Sequence, residues 1–253
     1  MAYDIKAQAI VLRARRVGDN HRGLQVLVSG RGLVDSLAYG AMSRKSSLRS
    51  TALPYNRGTA ELHYDGSRRR WRLHSFDPVN THDGLREDLD RFYTASTWAE
   101  ILLRSHCSSE SSESLFSLVS SALTLLSQCT SRGIPRLNCA FLWNFLQIEG
   151  VRPELNRCGR CSKNMEGKEV FFLPDGLLIC HNCVRSGLDE LSWGSIRWLL
   201  AISNVEIDRA AKIGLPNHSI AAMERWLLSI IQTLLERPLK SLQQNSRIAL
   251  RGQ

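Results

Sequence analysis

Residues 158–183 contain Cys158-Gly-Arg-Cys161 and Cys180-His-Asn-Cys183, two Cys-x2-Cys pairs separated by 18 residues. This spacing brings four thiolates to the corners of a tetrahedron, which is the geometry that Zn²⁺ prefers. Four cysteine ligands leave no position for water, so we expect a structural zinc site and not a catalytic one. The alternatives are two disulfides or a redox Cys-x2-Cys, but the redox motif opens a helix in a βαβ unit, a pattern not visible here.

The segment around these cysteines predicts a zinc ribbon inserted at about residues 155–188. Between the pairs, residues 169–179 form two short apolar runs about the turn Pro174-Asp175-Gly176. Such runs on either side of a glycine turn are typical of a hairpin. A ribbon that keeps this fold without its metal is a further alternative.

Length and composition set the outer limits of the prediction. The 253 residues suffice for two domains, and a hydrophobic content of 43% is ordinary for a globular protein. No apolar run approaches the roughly 20 residues of a membrane-spanning helix, and the start has no hydrophobic signal segment. We therefore expect a cytoplasmic protein, in which Cys107, Cys129 and Cys139 are reduced and serve as small core residues.

The positive charge is concentrated in the first third of the chain. The net charge is +9, yet residues 1–80 hold 14 Lys and Arg against 6 Asp and Glu, a net of +8. An arginine-rich domain of this kind is an electrostatic footprint for the phosphates of nucleic acid. A solvated surface that only keeps the protein in solution is the alternative.

The first 80 residues predict a five-stranded barrel. Short apolar or alternating runs occur at 7–12, 24–28, 33–39, 58–64 and 69–76. Hairpin turns are indicated at Ser29-Gly-Arg-Gly32 and at Asp65-Gly66. Five antiparallel strands in about 75 residues suit an OB-fold, a common platform for nucleic acid. We predict that residues 1–80 form this nucleic-acid-binding domain.

From Asp83 onward the apolar residues follow the period of helices. The predicted first helix buries one face and is separated from the second by a serine-rich loop at 105–114. A third helix ends at Gly150, and two more span about 192–203 and 219–236. The apolar face of the first helix comprises Leu85, Leu89, Phe92, Ser96, Ala99 and Leu103. The fold class is therefore α+β, with residues 81–253 forming a helical domain that carries the ribbon.

The basic residues of the barrel are the candidate phosphate contacts, although some must instead pair with Asp19, Asp35 or Glu61. After Asp65-Gly66, alternation places Arg68, Arg70 and Arg72 on one face of a strand, and Arg69 with Trp71 on the other. An aromatic residue there either stacks on a base or packs into the barrel. The candidates are Arg13, Arg15, Arg16, Arg22, Arg31, Arg44, Lys45, Arg49, Arg57, Arg68, Arg69, Arg70, Trp71 and Arg72.

The order of these parts resembles the RecO family of DNA repair and recombination mediators. The match includes Ala9-Ile-Val-Leu-Arg13 with Gly18-Asp-Asn, the run Ala38-Tyr-Gly-Ala-Met-Ser-Arg-Lys-Ser46, and Gly150-Val-Arg-Pro-Glu-Leu-Asn-Arg-Cys158, which leads into the cysteines. Asp19 replaces the family's glutamate, and Gly40-Ala-Met-Ser-Arg44 lacks one expected arginine.

The resemblance implies a protein that handles DNA without catalysis. Members of this family bind single- and double-stranded DNA and anneal complementary strands. They also act with RecR to load the RecA recombinase on DNA coated by single-strand-binding protein, so we expect these partners at the bacterial nucleoid. An RNA-binding OB and zinc-ribbon factor is the alternative function. An enzyme is not expected, because the chain has none of the phosphate-loop, metalloprotease or nucleophile-elbow motifs.

Overall fold

The computed structural model describes residues 3–105, 110–185, 187–215 and 217–242. The backbone packs into two compact units, residues 1–127 and 128–253. The first unit contains a barrel followed by two long helices, and the second contains the remaining helices with the cysteine-rich segment. No helix within the described residues is long and apolar enough to cross a membrane.

The first unit begins with the predicted closed barrel. Its strands are β1 (Tyr3–Val17), β2 (His21–Val28), β3 (Gly32–Ala38), β4 (Arg57–Asp65) and β5 (Arg70–Asn80), and a short helix, α1 (Leu48–Thr51), precedes β4. The order around the barrel is β1-β2-β3-β5-β4, with β3 and β5 parallel and the other neighbours antiparallel. The prediction of a five-stranded OB-type barrel is confirmed. Strand β1 extends five residues beyond its predicted end at Leu12. The sequence pattern stops there because a bulge interrupts the alternation of buried and exposed side chains.

Two helices complete the first unit, α2 (Leu89–Arg104) and α3 (Ser112–Gln128). The predicted buried face of α2 is partly wrong, since Leu89 and Phe92 are 66% and 40% exposed. The helix starts only after Asp88, whose side chain accepts a hydrogen bond from the Arg91 N–H, and its buried residues cluster around Trp98 further along. The predicted loop at 105–114 is too long, because α3 begins at Ser112, while 106–109 lie outside the described residues.

A buried histidine ties the end of the barrel to α3. His82 follows β5 with a positive φ of 47° and is 2% exposed. Its Nδ1 lies 2.7 Å from the carbonyl oxygen of Tyr55, and its Nε2 lies 3.2 Å from the Thr124 hydroxyl. Burial lowers the pKa of His82. The imidazole thus links β5, the segment before β4 and α3 in its neutral form.

The second unit is helical and carries a small sheet. Its elements are α4 (Ile134–Ile148), β6 (Val170–Phe172), β7 (Leu178–Cys180), β8 (Glu190–Leu191), α5 (Trp193–Ile202), α6 (Ile207–Ala210) and α7 (Asn217–Leu234). The sheet order is β7-β6-β8, and both pairs are antiparallel. The predicted hairpin and the three predicted helices are confirmed. Strand β8 and helix α6 are too short to leave a periodic signal in the sequence.

Candidate nucleic-acid interface and metal centre

A bulge in β1 determines which side chains reach the outside of the barrel. Val11 lies opposite Val26 of β2, whereas Arg13 lies opposite the adjacent residue Gln25. One extra residue exchanges the two faces of a strand. Val11 therefore belongs to the barrel core, and Arg13 and Arg15 are exposed on the outer surface.

These two arginines form one side of a polar groove that we name the basic groove. It crosses β1, β2, β3 and β5 and has a volume of about 670 Å³. Arg70 forms the other side, and no ion pair to Arg13, Arg15 or Arg70 is present within the described residues. The groove is lined by Arg13, Arg15, Val17, Gly23, Leu24, Gln25, Asp35, Ser36, Leu37 and Arg70. Three unpaired guanidinium groups on one surface suit the binding of phosphates.

The floor of the basic groove holds an amide and a carboxylate. Gln25 on β2 pairs with Asp35 on β3, and Gly23 pairs with Leu37 in the next row. Arg15 lies across Gly23, where an added Cβ would be 3.1 Å from the arginine Nε. A side chain at position 23 would therefore displace the guanidinium. Gln25 and Gly23 were not predicted as groove residues, because neither carries charge.

The turn between β4 and β5 is organised by Asp65. Its carboxylate accepts hydrogen bonds from the Ser67 hydroxyl at 2.6 Å and from the Ser67 and Arg68 N–H groups, and it forms an ion pair with Arg72. The Ser67 hydroxyl is the largest cause that lowers the pKa of Asp65 to about 2. Arg68 and Arg69 are exposed in this turn, and Arg69 has a φ of 47°. The predicted alternation from Arg68 is wrong, because β5 begins only at Arg70.

Trp71 and Arg72 point to opposite sides of β5. The Trp71 ring packs against the barrel core, with the rings of Tyr3 and Tyr64 at 5.3 and 5.1 Å. The Arg31 guanidinium lies 4.9 Å above Trp71, so it covers the indole. Of the two predicted alternatives, Trp71 thus packs into the barrel and does not present an open face for stacking on a base. Arg72 lies over Tyr39 with its Cζ 5.1 Å from the ring centroid.

Two of the other predicted arginines bind the protein itself. Arg22 Nη1 donates to the carbonyl oxygens of Leu48, Arg49 and Ala52 at 2.9–3.3 Å. Burial lowers the pKa of Arg22, and its guanidinium holds α1 in place. Arg16 donates to the Gly18 carbonyl and pairs with Asp19 at 3.2 Å.

Arg57 is also engaged inside the first unit, since its Nη1 donates to the Ser120 hydroxyl at 2.9 Å. Both partners belong to that unit, one at the start of β4 and the other on α3. Arg57 therefore connects the barrel to a helix.

The segment before α1 lines a different surface, which we name the histidine groove. It has a volume of about 590 Å³ and includes Lys45, Ser46, Ser47, His63, Arg72 and His74 among its lining residues. Arg44 and Arg49 are exposed near it, but they line neither groove. The predicted cations of this segment are therefore not gathered at the basic groove.

The four predicted metal ligands lie together in the ribbon. The Sγ atoms of Cys158, Cys161, Cys180 and Cys183 are all within 4.8 Å of one another. The Sγ atoms of Cys161 and Cys180 are 3.7 Å apart, far beyond the roughly 2.05 Å of a disulfide. Tetrahedral Zn²⁺ with Zn–S bonds of about 2.3 Å places its sulfurs about 3.8 Å apart. This arrangement fits a metal ion with four thiolates.

Backbone groups prepare one of these thiols to become a thiolate. Burial alone would raise the pKa of Cys158, but N–H groups of Cys180, Cys161 and Arg160 outweigh it and lower the pKa to about 6. The Cys180 N–H donates to the Cys158 sulfur at 3.3 Å. The other thiols raise the pKa of Cys183 to about 12, with Cys161 the largest cause. Four sulfurs held this closely are stabilised as thiolates only by a cation.

The ribbon turn is fastened to α7 of the same unit. The indole N–H of Trp226 donates to the Gly176 carbonyl at 2.8 Å. Gly176 has a φ of 88°, and a Cβ there would lie 2.3 Å from Cγ1 of Ile230. Glycine is therefore required at this position for both backbone and packing reasons.

The remaining cysteines differ in burial. Cys139 on α4 is fully buried, as predicted, and burial raises its pKa well above the ordinary value. The prediction for Cys129 is wrong, because this residue lies in the connection after α3 and is only partly buried. Cys107 lies outside the described residues.

Two protein-family models match the chain. Residues 1–82 match the model described as Recombination protein O N terminal, and residues 86–243 match Recombination protein O C terminal. The chain belongs to the RecO family. The first match covers the barrel strands, and the second covers the helices and the cysteines.

Individual RecO relatives match between 71% and 98% of the chain. A DNA repair protein RecO of Pelotomaculum thermopropionicum is 31% identical over 245 residues, covering 93% of this chain and 91% of the relative. One from Desulfitobacterium hafniense is 24% identical over 253 residues, covering 98% and 91%. A third, from Anaeromyxobacter dehalogenans, is 29% identical over 183 residues, or 71% and 70%. The chain is thus a RecO-family DNA repair protein.

Proposed function

We propose that this protein binds single- and double-stranded DNA through the outer face of its barrel and anneals complementary strands. The observation that carries the proposal is the basic groove, in which Arg13, Arg15 and Arg70 lack ion-pair partners within the described residues. Guanidinium groups on an open surface neutralise phosphates and leave the base edges free to pair. A deep aromatic groove would hold the bases instead.

The proposed binding domain is the barrel at residues 1–80, and residues 81–253 form the helical part with the ribbon. Because α2 and α3 share a compact unit with the barrel, the experiment uses the full chain. We infer that the protein acts by binding alone, with no catalytic centre.

The turn cations Arg68 and Arg69 extend the same surface. Both side chains are exposed, at the end of β5 that starts with the groove residue Arg70. Five predicted arginines are excluded from the proposed phosphate contacts because they bind or cover groups of the protein, namely Arg16, Arg22, Arg31, Arg57 and Arg72. This leaves the exposed arginines of the groove and the turn as the main contacts.

We further propose that the four cysteines bind Zn²⁺ and that the metal has a structural role. The sulfur spacing and the donor type fit Zn²⁺. With four thiolates the coordination shell is closed to water, so the metal would hold the ribbon together.

The proposed partners are RecR and single-strand-binding protein, in the loading of RecA on coated DNA in the bacterial cytoplasm and nucleoid. A pocket of about 300 Å³ on the second unit suits the acidic-aromatic tail of single-strand-binding protein. Arg132 is exposed at this pocket, while Pro135 and Ile220 are apolar lining residues. Glu224 also lines it, and burial raises the pKa of this carboxyl. An Arg132→Ala variant should bind a synthetic tail peptide more weakly than the unchanged protein, as measured by fluorescence anisotropy.

The proposal is tested by annealing labelled complementary DNA strands, with and without single-strand-binding protein. The unchanged protein should accelerate annealing in both cases, and the variant Arg13→Ala/Arg15→Ala/Arg70→Ala should not. A competition among single-stranded DNA, duplex DNA and structured RNA distinguishes the alternative function. Preference for structured RNA together with no annealing would overturn the proposal.

A further inference from the structure

The histidine groove has the chemistry of a second anion-binding surface. Lys45 and His74 are exposed and have no ion-pair partner within the described residues, and the hydroxyls of Ser46 and Ser47 lie beside them. Ammonium, imidazole and hydroxyl groups are typical ligands of phosphate oxygens. No carboxylate is among the groove's described lining residues, but two of its basic groups are paired with carboxylates outside the lining, His63 with Asp4 at 2.6 Å and Arg72 with Asp65.

The two cationic positions of β5 belong to different grooves. Arg70 lines the basic groove, and Arg72, two residues and about 7 Å further along the strand, lines the histidine groove. Arg72 is held there by its ion pair with Asp65 and by its contact with Tyr39. This explains why the arginine cluster does not form one continuous row.

The other wall of the histidine groove comes from the segment between β3 and β4. Backbone hydrogen bonds order the start of this segment, from Ser43 N–H to Gly40 and from Ser46 N–H to Ser43. Arg22 fixes its end by binding three carbonyl oxygens around α1. Lys45 is thus presented from a structured wall of the groove.

We propose that the histidine groove binds the phosphate backbone of a second single strand, while the basic groove binds the first. The inference rests on the proposed function, because it assigns the two complementary strands to two surfaces that share β5. Each groove holds the backbone of one strand, and the bases remain free for pairing. Lys45 and Arg72 thus line one groove, and Arg70 lines the other.

The test counts strands bound per chain. Oligothymidine of about eight nucleotides, a length within the site size of one OB-fold, is titrated into the full-length protein and followed by anisotropy and sedimentation. The unchanged protein should bind two strands per chain. Lys45→Ala/His74→Ala should bind one, with first-strand affinity unchanged and annealing slower. Neither side chain forms a described hydrogen bond or ion pair, and His74 has only a charge interaction with Glu61. The variant should therefore fold normally, which circular dichroism checks.

Lys168→Ala is the matched control, since it removes an exposed lysine from the ribbon. It should bind two strands and anneal at the unchanged rate. Two results would overturn the two-groove proposal but not the proposed function. In one, the unchanged protein binds a single strand; in the other, a folded Lys45→Ala/His74→Ala variant still binds two. Failure of the unchanged protein to bind or anneal DNA would overturn the proposed function as well.

Discussion

Asp35 lies opposite Gln25 on the neighbouring strand, and both side chains line the basic groove between Arg13 and Arg70. A carboxylate among cations repels phosphate, so Asp35 should weaken the proposed binding of a DNA strand in this groove. Asp35→Asn should raise the affinity for single-stranded DNA about 2- to 5-fold at low salt, the size of an exposed charge interaction. Anisotropy with a labelled strand measures this.

The control for Asp35 is Asp77→Asn, which removes an exposed carboxylate from β5 outside the groove. Its effect on affinity should be smaller. Equal affinities for the two variants would mean that only net charge matters, and that Asp35 has no special position.

Cys180→Ser should release the metal and loosen the ribbon, because three thiolates and a hydroxyl hold Zn²⁺ poorly. Metal analysis after native purification should find about one Zn²⁺ in the unchanged protein and less in the variant. DNA affinity should change little, since the cysteines and the basic groove belong to different compact units. Cys129→Ser is the control and should keep its metal. A metal-free unchanged protein with four titratable thiols would contradict the zinc proposal.

Gly176→Ala should destabilise the second unit more than Gly167→Ala does. Both glycines have positive φ, 88° and 73°, but a Cβ at 176 meets Ile230 at 2.3 Å, whereas a Cβ at 167 meets nothing within 4 Å. Backbone strain costs about 1–2 kcal/mol in either variant, and overpacking adds about 1–3 kcal/mol at 176 alone. Urea unfolding measures the difference, and equal losses of stability would refute the packing contact.

Protonation of His82 should weaken the first unit. Burial lowers the folded-state pKa, so between that value and about 6.5 the unfolded chain binds more protons. The contribution of neutral His82 to the free energy of unfolding is therefore complete above about pH 6.5 and is lost as the pH falls below that value. Arg57 and Arg86 also lower the pKa, while Asp83 and the hydrogen bond to the Tyr55 carbonyl raise it.

The check is the free energy of unfolding between pH 7.5 and 5.5, compared with His82→Asn, because asparagine tolerates a positive φ. The variant should be less stable at pH 7.5 and should lose less stability on acidification. An identical pH dependence of the two proteins would assign the acid sensitivity to other groups.

Much of the fold followed from periodicity and spacing. The glycine turns Ser29-Gly-Arg-Gly32 and Asp65-Gly66 lie between the strands as predicted, and the four cysteines converge as their spacing requires. Both are local signals in which a few residues determine the backbone. The buried side of α2 did not follow, because Leu89 and Phe92 continue the apolar period beyond the part of the helix that is covered.

The basic character of the barrel was predictable, but which of its arginines are exposed and without ion-pair partners among the described residues was not. The bulge after Val11 decides that Arg13 and Arg15 face outward, and the sequence has no signal for it. Charge also cannot distinguish Arg70, which has no ion-pair partner in the described part of the chain, from Arg22, which binds three carbonyl oxygens. Only the hydrogen bonds of the folded chain distinguish an arginine that binds the protein from one that is exposed to solvent.

The central claim is that DNA lies against the basic groove through phosphate contacts. The most direct measurement is the salt dependence of single-strand binding by the unchanged protein and by Arg13→Ala/Arg15→Ala/Arg70→Ala. A control removes three exposed ribbon cations, Lys163, Lys168 and Arg185. Each lost contact lowers the log–log slope by about 0.7, so the groove variant should lose about 2 in slope and the control almost nothing. A flat salt dependence for the unchanged protein would contradict the account. So would a folded groove variant whose slope equals that of the unchanged protein.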